Sequence, residues 1–163
     1  MIRSGALAAG VKFFGAGLTY LMFVAVAAVT DTAGFGAFGT MFSLASLVSF
    51  IAPIGQQSAV LRFFPEWKAK GDLARANAFF VRSMTTALIG SALFALAFAA
   101  TLLVARDSEL RPYALSGAVL SFALSFAEFL SGGTRARGWL LYSLLPRDLI
   151  WRGSFITAIA IGA

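Results

Sequence analysis

The chain has 163 residues, 60% of them hydrophobic and 12% charged, with a net charge of +6. A mean hydropathy of +0.86 leaves too few polar residues to coat a soluble globule, so the composition is that of an integral membrane protein. Cysteine and histidine are both lacking, which excludes disulfides, thiolate metal sites, thiol catalysis, the usual near-neutral proton shuttle and most zinc chemistry. The chain also has no Lys/Arg-rich run, and its cations sit at the ends of apolar segments, as membrane topology requires and nucleic-acid binding does not.

In chain order, Arg3 and Lys12 precede seventeen uncharged residues from Phe13 to Val29, which predicts a first span over about 5–30. Charge, apolar run and the small residues Ala25-Val26-Ala27 also match a secretory signal. The run is long for a signal core, however, and the later spans need a retained first helix to pack against. Thr19 lies seven residues after Lys12 with Gly15 and Ala16 between, so one face of this helix is small or polar and should meet protein or water.

Asp31 to Phe35 read as a short turn into a second span, 36–61. The thirty residues Thr32 to Leu61 carry no charge and would reach about 45 Å as one helix, against a hydrocarbon core of roughly 30 Å. Pro53-Ile54-Gly55 interrupts this run: proline removes a backbone donor and glycine relaxes the geometry, so Pro53 and Gly55 are the expected helix break. Beyond it come Gln56, Gln57, Ser58, Arg62 and a polar exit with Trp67, Lys68, Lys70, Asp72 and Arg75.

A third span is predicted over 74–104, where Ser83 to Ala105 is uncharged for twenty-three residues and Arg82 lies about two turns inside the start. Arg106 to Arg111 form a balanced polar loop, and Pro112 suits the first turn of a fourth span over 112–134. Ser131-Gly132-Gly133-Thr134 should weaken that helix before Arg135 and Arg137. Trp139 to Asp148 read as an interfacial connection, and 150–163 as the start of a fifth span. The eleven residues Gly153 to Ala163 are too few to cross a bilayer, and they run to the end in apolar sequence without a charged anchor.

Of the thirteen cations, eleven fall on one side of this arrangement and only Arg106 and Arg111 on the other. The expected fold is therefore an all-α polytopic transmembrane bundle of four spans plus the start of a fifth, with the N-terminus cytosolic. Trp67, Trp139 and Trp151 then fall near the cytosolic interface, as an aromatic belt would place them.

Within a span each ionisable group costs roughly 2.5 to 3.5 kcal/mol on insertion scales and needs a route to water or a function. Lys12, Arg62, Arg82 and Glu128 qualify, all toward the cytosolic side, where they could line one inward-facing cleft. Arginine or lysine in a shielded cleft binds phosphate oxygens by charge-assisted hydrogen bonds, so Lys12, Arg62 and Arg82 are candidate phosphate ligands. The competing role for each is snorkelling, in which the long side chain reaches the headgroups. Glu128 shares a helix face with Ser121, Ser125 and Gly132. It serves either static charge pairing or the uptake of a driving proton or sodium ion. No loop offers a pair of acidic or histidine groups for a membrane-embedded transferase, so no catalytic residue, cofactor or metal site is expected.

The turn GFGAF, the long apolar helix and its exit APIGQQSAVLRFFPEWKAKGD resemble the polysaccharide and O-antigen flippases of the multidrug/oligosaccharidyl-lipid/polysaccharide exporter superfamily. Gly34, Phe35 and Gly36, then Gly55, Arg62, Glu66 and Gly71, look like the family's positions, and TRARGWLLYSLLPRDLIWR is similar to its basic connection after the fourth helix. The resemblance implies a non-enzymatic transporter of lipid-linked oligosaccharide or polysaccharide precursors in the bacterial inner membrane, with 1–163 as the N-terminal part of one transporter lobe, its C-terminal helices missing, and Lys12, Arg62 and Arg82 as contacts of the lipid diphosphate. Its partners would be the lipid-linked glycan, membrane lipids and the C-terminal helices of the same transporter. A drug or metabolite exporter of that superfamily, or a non-transporting scaffold or inactive fragment, are the alternatives.

Overall fold

The computed structural model describes the backbone of residues 2–105 and 109–162 and the side chains of 9–105, 109–139, 142–146 and 149–162. The helices are α1 (Ile2–Val29), α2 (Thr32–Ile51), α3 (Gln56–Ala69), α4 (Leu73–Val104), α5 (Ala114–Ala136), α6 (Leu140–Leu144) and α7 (Trp151–Gly162). A 3-10 turn, Arg111–Tyr113, leads into α5, and one π-helical turn, Leu145–Ile150, joins α6 to α7. The expected polar loop at Arg106, Asp107 and Ser108 lies outside the described residues.

Ala9–Val29, Thr32–Ala69, Leu73–Val104 and Arg111–Ala136 are each long and apolar enough to cross a bilayer. The all-α membrane bundle expected from the sequence is thus the observed class. Among the described residues the contacts divide the chain into two compact units, one of Met1–Gly39 with Trp139–Ala163 and one of Thr40–Gly138.

In the first unit α1 packs along α7, the π-turn and α6. Phe23 of α1 meets Phe35 and Phe38 of α2 edge-on, at ring-centroid distances of 6.1 and 5.4 Å, and Phe38 stacks on Phe155 of α7 at 5.9 Å. The turn before α2 is tighter than the sequence suggests. The Gly34 N–H donates to Asp31 Oδ1 at 2.8 Å, so Asp31 caps a helix that starts at Thr32 rather than 36.

The second unit contains α3, α4 and α5, each in contact with the other two. Its core is Val60 and Phe64 from α3, Ala76 and Ala87 from α4 and Phe129 from α5. Met41, Leu102 and Ala114 form a second, smaller cluster.

Within 36–61 the chain forms two helices that part at Pro53 and Gly55, where Ile54 (φ 52) and Gly55 (φ 68) adopt consecutive left-handed conformations and α2 ends at Ile51. Such a conformation is ordinary for glycine and strained for a β-branched isoleucine, so the predicted break is a full stop and restart, not a bend. The fourth span does not weaken at Gly132-Gly133 but continues to Ala136. A Cβ at Gly132 would stand 2.9 Å from Gln57 Cβ, and one at Gly133 2.6 Å from the Phe80 ring. These glycines admit neighbouring helices, and the packing gained outweighs their poor helix propensity.

Candidate functional site

The break between α2 and α3 presses against α4. A Cβ at Gly90 would lie 2.5 Å from the Ala52 carbonyl oxygen and 3.0 Å from Ile54 Cδ1, so only glycine admits the interrupted backbone there. Gly90 is seven residues, about 10 Å, inside the uncharged stretch of α4 that starts at Ser83. Measured along α4, the restart of the chain therefore sits within the apolar band. Non-helical backbone at such depth survives only where protein or a polar cavity covers it.

The two helices that pack on α3 bury several polar side chains. The side chains of Ser83 and Ser91 on α4 and of Ser121, Ser125, Glu128 and Ser131 on α5 are buried, Glu128 with 6% of its surface exposed. Ser121 Oγ donates to the Ala118 carbonyl at 2.9 Å and Ser125 Oγ to the Ser121 carbonyl at 2.6 Å. Those two hydroxyls are satisfied by their own helix and act as small packing residues. Gln57 Oε1, Ser91 Oγ and Ser131 Oγ are buried without a hydrogen-bond partner. Glu128 is one turn before Gly132, the residue that receives Gln57, so the carboxylate lies on the α5 face that takes the first turn of α3.

The candidate cations are placed differently. Arg62 and Arg82 are exposed on α3 and α4, in the same unit as buried Glu128, and Arg62 Cζ lies 5.3 Å from the Phe63 ring centroid. Lys12 belongs to the other unit, exposed on α1. On that helix Gly15 is buried, and its carbonyl oxygen accepts from Thr19 Oγ1 at 2.9 Å and from Arg152 Nη1 of α7 at 3.3 Å. The small face of the first helix thus receives an arginine from the stretch expected to begin a fifth span.

Arg137 was also passed over. Its guanidinium lies 4.1 Å from the Phe80 centroid and 5.8 Å from that of Phe64, fastening the end of α5 to α4 and α3. The signal was present as an arginine two residues beyond Arg135, but the ring it meets is fifty-seven residues away and sequence spacing does not reveal it. Among the described residues no group of three Asp or Glu is placed to hold a metal ion.

No family model matches this chain, and neither the curated proteins nor the solved structures provide a match.

Proposed function

We propose that the chain serves in a membrane transporter of flippase type that moves lipid-linked oligosaccharide or polysaccharide precursors across the bacterial inner membrane, with its N-terminus cytosolic. The observation that carries transport is the interrupted helix at Ala52–Gly55, lodged against Gly90 within the apolar band and next to the face that buries Glu128. Discontinuous helices and intramembrane carboxylates are costly in lipid, and transporters use them where substrate or coupling ions must be met. The lipid-linked anionic cargo is supported by the cation excess and by the resemblance of Gly34 to Gly71 to the flippases. Arg82, Arg62 and Lys12 are the proposed phosphate contacts, with Glu128 as the coupling or charge-pairing group.

A drug or metabolite exporter is the second reading, favoured by the burial of Glu128, since a shielded carboxylate suits cationic cargo. The two separate in vesicles reconstituted with the protein. A fluorescent lipid-diphosphate oligosaccharide placed in one leaflet should become accessible from the other, while a fluorescent organic cation should not accumulate. Movement of the cation alone would reject the flippase.

A further inference from the structure

Where α3 ends and α4 begins, three half-buried rings pack on one another. Phe63 stacks on Trp67 at 5.8 Å, and Phe79 meets both edge-on, at 5.8 Å from Phe63 and 4.8 Å from Trp67. Two exposed arginines rest on this cluster, Arg62 with Cζ 5.3 Å from the Phe63 centroid and Arg75 with Cζ 5.7 Å from that of Trp67. A guanidinium held on a ring face keeps its N–H edges free for an anion and loses less freedom on binding one.

The nearby carboxylates are engaged first by other groups, with Arg62 only a weaker electrostatic neighbour of Glu66. Glu66 Oε1 accepts from Lys70 Nζ at 2.7 Å, and Asp72 Oδ1 accepts the Arg75 backbone N–H at 2.9 Å as the cap of α4. Arg75 also heads a line along one face of α4, continuing at seven-residue steps through Arg82 to the exposed Ile89 and Leu96. Each step is about 10 Å, so cationic groups at one end give way to aliphatic surface deeper in the membrane.

We infer that this arginine-bearing aromatic plate is a binding site for an anionic phospholipid of the surrounding membrane. The headgroup phosphate is met at the plate by Arg75 and Arg62, and an acyl chain runs from there along the α4 line toward Ile89, about 20 Å away and within the reach of one leaflet. A soluble anion would use the charges but not the aliphatic line below them, and a zwitterionic lipid would use the line but gain little from the two cations. The site shares Arg62 with the proposed substrate contacts, but Arg75, Trp67 and Phe79 take no part in them, and phospholipid binding needs no turnover.

Trp67 reports on it directly. In the protein with W139F and W151F, which leave Trp67 as the reporter, Trp67 fluorescence is measured in phosphatidylcholine vesicles. These contain a minor fraction of either brominated phosphatidylglycerol or brominated phosphatidylcholine. Two cations near the surface should enrich the anionic lipid about thirtyfold, seen as stronger quenching at equal mole fraction. R75Q should reduce the preference by about fivefold and R75K should keep most of it. Equal quenching by the two lipids, or an undiminished preference in R75Q, would overturn the site. Because no transport is measured, either result leaves the flippase proposal to its own test.

Discussion

At the scale of single residues, Arg137 and Glu128 make the clearest demands. Arg137 spans the Phe80 and Phe64 rings, an interaction of roughly 0.5 to 2 kcal/mol depending on desolvation. R137A should lower the thermal midpoint of the detergent-solubilised protein and R137K should recover part of the loss, because lysine keeps the charge without the planar contact. An unchanged midpoint in R137A would show that α5 is held by other contacts. For Glu128 the two roles separate on E128Q, which preserves volume and hydrogen-bonding capacity and removes the charge. A coupling role requires that transport lose its response to an imposed proton or sodium gradient while the protein stays folded. A pairing role requires lower stability, read in the same thermal assay.

At the scale of elements, the break before α3 is sustained by two glycines for different reasons. Gly55 supplies a left-handed backbone, and G55A should cost about 1 to 2 kcal/mol. Gly90 supplies space, and G90A sets a methyl group 2.5 Å from the Ala52 carbonyl oxygen, an overpacking of about 1 to 3 kcal/mol. Gly17, with nothing within 4 Å of its Cβ position, is the contrast: G17A should be neutral or slightly stabilising through helix propensity. Thermal midpoints that fail to rank G90A below G17A would contradict the packing of the break on α4. The Pro53-Gly55 interruption was legible in the sequence because proline and glycine act locally. That it leans on Gly90, and that Gly132-Gly133 admit α3 and Phe80 rather than ending α5, was not legible, since a glycine has the same local signature whether it breaks a helix or accepts a neighbour.

At the scale of the whole molecule, the apolar spans follow from runs such as Ser83 to Ala105, where length and lack of charge suffice, so most of the helical layout was legible. The site was less so. Arg82 and Glu128 share the same intramembrane cost on paper, yet one is exposed on α4 and the other buried in α5, a difference made by packing that one-dimensional charge spacing does not contain. Orientation is open to direct labelling because the chain has no cysteine. With the N-terminus cytosolic, E109C should react with an impermeant thiol reagent in intact cells and A69C should not. The reverse pattern would invert the topology. The most direct measurement of the proposed function is transbilayer movement of the lipid-diphosphate oligosaccharide by the R82A and K12A variants, normalised to protein in the vesicle. A phosphate contact is worth roughly 1.5 to 3 kcal/mol, so each alanine should slow movement by tenfold or more at subsaturating substrate, with R82K and K12R partly active. Wild-type rates in both alanine variants would contradict phosphate recognition by these cations and leave them as snorkelling residues.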